Sequence, residues 1–116
     1  MSVRVLRNLT SGAVLATKMR QARSPWERLA GLIGARPLDP EGGLWLEPCG
    51  AIHTVGMRFA IDVLLLDPAG FILAIAPNVP PMRPHVTHRG TAIVVELPAG
   101  SAARSAIGPG DRLSLA

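Results

Sequence analysis

Short apolar blocks separated by glycine and proline run along most of the chain and predict β-strands rather than long helices. The 12 Gly and 11 Pro supply turns at short intervals. The apolar run Val63 to Leu66 is typical of a buried strand, and Asp67-Pro68-Ala69-Gly70 has the residues of a type I turn that leads into a returning strand. The predicted strands are 3–10, 13–19, 44–47, 61–66, 71–76, 92–97 and 111–115.

Two segments have the pattern of short helices. In SPWERLAGLIG, residues 24–34, Ser24 can cap the helix, Pro25 suits its first position and Glu27 completes a capping box. A second helix is predicted over residues 102–107, before Gly108. The apolar side chains that share one face of the first helix are Trp26, Leu29, Leu32 and Ile33.

The connections between the predicted strands are too short for repeated βαβ crossovers, which favours antiparallel pairing. At 116 residues, with 48% hydrophobic and 17% charged residues, the chain is expected to form a single domain, residues 1–116, with a packed core. We therefore expect an α+β fold that is mostly β. It would be a small antiparallel or mixed sheet, curled into a barrel-like form, with two short helices packed on it.

Composition and charge limit the classes of partner and the cellular compartment that can be expected. The net charge is +4, but the eleven arginines and Lys18 are scattered without a dense run, and aromatic residues make up only 3%. This argues against a nucleic-acid-binding protein, which needs a basic patch or a stacking platform. A single cysteine cannot form an internal disulfide, and Arg4 and Arg7 interrupt any signal peptide. Because the apolar runs are only strand-length, we expect a cytoplasmic protein without membrane contact.

The segment EPCGAIHTVGM, residues 47–57, concentrates the chemistry. Cys49, His53 and Met57 are spaced four residues apart, so a helix would stack them on one face. The proline and the two glycines of the segment disfavour a helix. In an extended segment the three side chains would still share a face, with Cys49 and His53 about 13 Å apart at roughly 3.3 Å per residue. A local Cys–His pair therefore requires a bend, which Gly50 can supply.

Three interpretations of this segment stay open. Cys49 is a candidate thiol nucleophile if His53 lies within hydrogen-bonding reach and backbone N–H groups stabilise an oxyanion. Cysteine, histidine and methionine together suit copper(I), although their spacing matches no known metal signature, and we expect neither a metal nor another cofactor. In the third interpretation Cys49 is a small core residue. His53 is then a core histidine, because it alternates in register with Val55, Met57 and Phe59.

Longer stretches resemble a known family. They are NLTSGAVLATKMRQARSPWERLAGLIG, GLWLEPCGAIHTVGMRFAIDVLLLD and VELPAGSAARSAIGPGDRL, and within them the run C-x3-H-T-x2-M-x-F-x-I-D and the PAG…GD ending are the most specific. Together they resemble the uncharacterised prokaryotic DUF 192 family over nearly the whole chain. The resemblance implies a small β-barrel-like domain with short helices, and it implies no reaction. Ala60 is a departure, because the family often has proline there.

The resemblance directs attention to Cys49 and to a predicted ligand-binding set. We expect the motif to form the floor of a site and the proline-rich loop NVPPMRPH, residues 78–85, to form its wall. His88 and Arg89 would add positive charge at the rim. A stiff loop with arginine donors suits a small anion or carboxylate. The predicted set is His53, Thr54, Met57, Arg58, Asp62, Arg83 and His85.

The sequence favours a binding role over an enzymatic one. The first hypothesis is a non-enzymatic module that binds a small polar or anionic ligand or a protein partner. The alternatives are a thiol-dependent enzyme that uses Cys49 and His53, and a purely structural or interaction domain.

Overall fold

The computed structural model describes residues 3–23 and 38–116, and these residues contain nine strands and one helix. Their bounds are β1 Arg4–Asn8, β2 Val14–Ala22, β3 Gly42–Leu46, β4 Ala51–Ile52, β5 Ile61–Leu66, β6 Ile72–Val79, β7 Val86–Thr87, β8 Ile93–Pro98, α1 Ser101–Arg104 and β9 Leu113–Leu115.

All seven predicted strands are confirmed, with ends that move by a few residues. β2 continues to Ala22 because Lys18 to Ala22 pair with β3, and β6 continues through Pro77 to Val79. The two-residue strands β4 and β7 were not predicted. Each has only two residues, which is too short for an apolar pattern to be recognised, and the two strands pair only with each other.

Seven strands form one sheet in the order β6-β5-β8-β3-β2-β1-β9. Every neighbouring pair is antiparallel except β2 and β3, which are parallel, so the prediction of a mostly antiparallel sheet is confirmed. A parallel pair requires a longer crossover connection, and here the connection runs from Arg23 to Glu41.

The prediction of a barrel is wrong, because β6 and β9 are the two edges of an open sheet. β9 has three residues and cannot continue a ladder along the eight residues of β6. The edges meet only at one corner, through a single bridge between Phe71 and Arg112. There the Ile72 N–H donates to Asp111 O at 2.8 Å, and the Leu113 N–H donates to Gly70 O at 2.9 Å.

Of the two predicted helices, the one over residues 24–34 lies outside the described residues. The second is confirmed but shorter than predicted, because α1 ends at Arg104. Ala106 has φ of 52°, a left-handed conformation that turns the chain out of the helix.

The central strands β3, β5 and β8 are buried on both faces of the sheet. Side chains alternate between two apolar clusters, with Leu64 and Leu66 in the first and Val63 and Leu65 in the second. The first cluster also includes Ala102 of α1. The second is covered by the motif segment through Cys49, Ile52, Met57 and Phe59.

Candidate functional site

The motif segment is an extended strand followed by a turn, not a helix. The Cys49 N–H donates to Ala92 O at 2.9 Å, and β4 then pairs with β7. The chain reverses after β4, where the Met57 N–H donates to Thr54 O at 3.1 Å and Gly56 has φ of 89°. Cys49 and His53 therefore lie before and after a strand.

Thr54 joins this turn to the proline loop, which we define from here on as residues 77–85, including the last three residues of β6. Its side chain is fully buried. Thr54 Oγ1 donates to Pro80 O at 2.7 Å and accepts from the Arg83 N–H at 2.8 Å. The Thr54 N–H donates to Arg83 O at 2.8 Å, and Thr54 O accepts from the Met82 N–H at 3.0 Å. One residue of the motif thus fixes three positions of the loop.

Asp62 holds the beginning of the same loop. Its carboxylate is fully buried and accepts three backbone N–H groups. Oδ1 accepts from Asn78 at 2.9 Å and from Gly100 at 3.1 Å, and Oδ2 accepts from Ala102 at 2.8 Å. The same carboxylate therefore connects the proline loop to the start of α1.

The proline loop is held in an unusual backbone conformation. Asn78 and Met82 have φ of 50° and 70°, in the left-handed region that residues other than glycine seldom adopt. Such conformations persist only where the surroundings impose them. Asp62 bonds the backbone of the first residue, and Thr54 bonds that of the second. Together with four prolines, these bonds make the loop preformed.

A groove of about 270 Å³ opens along this loop. Arg83 and His85 supply its positively charged or chargeable groups, and both side chains are exposed. Among the described residues that line the groove, none is a carboxylate. The lining residues are Ala76, Pro77, Asn78, Val79, Pro80, Arg83, His85 and Val86.

The other predicted site residues fall in two groups. Met57 is buried in the second apolar cluster, whereas His53 and Arg58 are exposed. The prediction that His53 shares an apolar face with Val55 and Met57 is wrong, because the turn at residues 54–57 breaks the alternation. Asp62 is buried, and its three described bonds are to backbone N–H groups.

Cys49 is half-buried at the edge of the second cluster. Its Sγ–H donates to Ala51 O at 3.2 Å. In the part of the chain that the structure describes, no three His, Cys, Asp or Glu side chains are grouped as metal ligands.

The structure brings the motif and the proline loop together, as expected, but through the backbone of the loop. Thr54 lies behind the groove, and Arg83 and His85 line it. The predicted wall, residues 78–85, includes Asn78, whereas sequence reasoning missed Ala76, Pro77 and Val86 as lining residues. Ala76 and Pro77 lie in β6, and Val86 lies in the unpredicted strand β7.

Comparison with known proteins identifies the family. The model of DUF192, described as "Uncharacterized ACR", matches residues 7–115. This chain belongs to the DUF192 family. The resemblance drawn from the sequence is therefore confirmed. No curated protein matches the chain.

Two solved structures resemble this DUF192 protein closely. A protein from Sinorhizobium meliloti 1021, named provisionally as a transcription regulator, has a TM-score of 0.83 and 26% identity, and the match covers 97% of this chain and 92% of that one. A protein of unknown function from Novosphingobium aromaticivorans DSM 12444 has a TM-score of 0.81 and 27% identity, with 97% and 84% covered. Within the described residues of this chain, no helix has the length and apolar character needed to cross a membrane.

Proposed function

We propose that this DUF192 protein is a non-enzymatic binding module that captures a small anionic ligand in the groove beside the proline loop. The observation that carries the proposal is the placement of Arg83 and His85 on a loop whose backbone Thr54 and Asp62 hold in place. The ligand class is a small molecule with a carboxylate or phosphate group.

Preorganisation supports binding at this groove. A loop that is already ordered loses little conformational entropy when a ligand arrives, so more of the contact energy appears as affinity. The arginine guanidinium presents forked donors that match the two oxygens of a carboxylate or phosphate. A volume of about 270 Å³ lies at the small end of ligand pockets. It therefore suits a metabolite-sized acid more than a large cofactor.

The position of Cys49 favours binding over thiol chemistry. Cys49 is not among the lining residues of the groove, and its thiol donates to the carbonyl of Ala51. A cysteine that reacts with a ligand in the groove would have to face that ligand.

The test is a titration of isotopically labelled protein with inorganic phosphate, acetate and citrate, followed by the backbone amide signals in NMR spectra. Choline chloride serves as the cationic control. We expect saturable shifts at residues 76–86 with the anions and none with choline. Arg83→Gln should weaken anion binding about tenfold, because it removes a charge-assisted hydrogen bond.

Arg89→Gln is the matched control, since Arg89 is an exposed arginine that does not line the groove. Its affinity for the anions should stay near that of the native protein. Equal losses in the two variants, or shifts spread over arginines elsewhere on the sheet, would show diffuse charge attraction and refute a groove site.

A further inference from the structure

Two exposed apolar residues, Val55 and Met82, meet at the peptide group between Thr54 and Val55. Met82 is 66% exposed and Val55 is 42% exposed. The carbonyl of Thr54 belongs to the peptide bond that leads into Val55, and it accepts the Met82 N–H at 3.0 Å. The two residues are therefore neighbours in space, and we call the pair the apolar tip.

Core packing does not account for the conformation of Met82. Its φ of 70° is unfavourable for a residue with a Cβ, and its side chain is mostly uncovered. Single exposed apolar residues are ordinary on protein surfaces. Here a buried threonine holds the pair in place, and Met82 has a strained backbone conformation. Such strained conformations cluster at functional sites.

The exposed charged side chains of the two segments that form the apolar tip are basic, whereas the nearby Asp62 carboxylate is fully buried and bonded to three backbone N–H groups. The two segments that meet there, residues 48–61 and 76–95, contain no aspartate or glutamate. They contain three arginines and every histidine of the chain. Arg58 and Arg83 flank the tip in sequence, one after each of its turns, and both are exposed. The basic residues are Arg58, Arg83, Arg89, His53, His85 and His88.

We infer that the apolar tip docks an acidic protein segment that carries one exposed apolar side chain. That side chain packs on Val55 and Met82, and the carboxylates around it meet Arg58 and Arg83. Methionine suits such a contact because its flexible thioether adapts to the shape of a partner. An apolar centre with a charged rim is the usual anatomy of a protein interface.

A protein segment fits the tip better than a membrane surface. Two side chains in a rigid loop match a single anchoring residue, which is how small interfaces concentrate their affinity. Peripheral membrane binding relies on a broad apolar face or a dense cluster of basic residues. The inference goes beyond the proposed groove ligand, since it concerns a macromolecular partner and adds Val55, Met82 and Arg58, although Arg83 belongs to both surfaces.

The test uses three synthetic hexapeptides and the full chain. The first peptide is acidic with one central leucine, the second has serine in place of the leucine, and the third has lysines in place of the acids. Amide shifts in NMR titrations give affinity and location. We expect the leucine peptide to bind about tenfold more tightly than the serine peptide, with shifts at residues 54–58 and 80–85, and the lysine peptide not to bind.

Variants then assign the contact. Met82→Ser should abolish the difference between the leucine and serine peptides. Leu9→Ser is the matched control, because Leu9 is 49% exposed in the turn between β1 and β2, outside the segments that form the tip, and it should preserve the difference. Equal affinity of the two acidic peptides for the native protein, or an undiminished difference in Met82→Ser, would overturn the inference.

A further arm separates the two alternatives for the tip. Binding to phosphatidylserine vesicles that is lost in Met82→Ser, with no peptide binding, would assign the tip to a membrane surface and overturn the inference. Failure of the groove proposal would give a different experimental result. Phosphate and citrate would then not bind, while the leucine peptide would still discriminate through Met82.

Discussion

Thr54 and Asp62 are fully buried polar residues whose partners are all backbone groups of other segments. A buried polar group is stable only when it is hydrogen-bonded, and removing one partner leaves the other without compensation for its lost water. The two side chains therefore fix the backbone of the proline loop at Asn78, Pro80 and Arg83.

Thr54→Val keeps the shape of the side chain but removes the hydroxyl. It leaves Pro80 O and the Arg83 N–H without their partner, so we expect the free energy of unfolding to fall by about 2–4 kcal/mol. Urea denaturation measures this loss. Thr87→Val, which removes an exposed hydroxyl bonded to Gly50 O, should cost about 1 kcal/mol or less. Equal costs would mean that the loop is not held by Thr54.

Met82→Gly should stabilise the protein. The left-handed conformation at φ of 70° costs a residue with a Cβ about 1–2 kcal/mol, whereas glycine adopts it freely and loses about 0.5–1 kcal/mol through its larger unfolded-state entropy. We expect a gain of up to about 1 kcal/mol in thermal denaturation, together with loss of peptide docking.

Two exposed alanines, Ala106 and Ala103, provide controls for Met82→Gly. Ala106→Gly, at φ of 52°, should also stabilise, and Ala103→Gly inside α1 should destabilise by about 1 kcal/mol. Destabilisation by Met82→Gly similar to that of Ala103→Gly would show that Met82 is not strained.

At this scale the sequence identified Asp62 but not its role. A carboxylate at the start of IDVLLL signals a special residue in a buried strand. Its partners could not be predicted, because Asn78, Gly100 and Ala102 are brought to it only by the folded sheet. His53 was misplaced for a related reason: alternation assumes a continuous strand, and the chain turns immediately after β4.

At the scale of elements, the strands buried on both faces were the easiest to predict. β5 and β8 appear in the sequence as apolar runs, since both sides of each strand face a core. The pairing of the edges was not predictable. It depends on a close approach at the corner, where the chain passes Gly70.

Gly70→Ala tests that corner. Gly70 has φ of 93°, and a Cβ there would lie 2.6 Å from Leu113 O. The methyl group would force β9 away from the start of β6, so we expect a loss of about 3 kcal/mol in urea denaturation. Gly12→Ala has a similar φ of 82° with nothing within 4 Å of its Cβ, and it should cost about 1–2 kcal/mol. A difference of zero would mean that the contact at the corner carries no stability.

At the scale of the whole molecule, stability should be graded from the centre of the sheet outward. β5 and β8 pair on both sides with other strands, whereas β4 and β7 form a separate two-stranded ladder of two residues each. Two-stranded ladders are marginal without further support. The barrel was predicted from the strands with their short connections and from the family resemblance, and neither specifies whether the last strand is long enough to close the sheet.

Hydrogen exchange measures this gradient. The amides of Val94 and Val95 in β8 should exchange only by global unfolding, while those of β4 and β7 should exchange through local opening. The amide of Arg83 should be protected although it lies in an exposed loop, because it donates to the buried Thr54 hydroxyl. Rapid exchange at Arg83 in the native protein, with slow exchange in β8, would contradict a preformed loop.

The bonds that fix the proline loop have one consequence for how the molecule can change. Thr54 is hydrogen-bonded to the main-chain N–H and C=O of Arg83, and the Asp62 carboxylate is hydrogen-bonded to the main-chain N–H of Asn78. The side chains of the loop therefore take no part in these contacts. Substitutions at positions 83 and 85 should therefore leave the path of the backbone unchanged. If the groove binds the proposed ligand, a library at these two positions should change the ligand preference without loss of the fold.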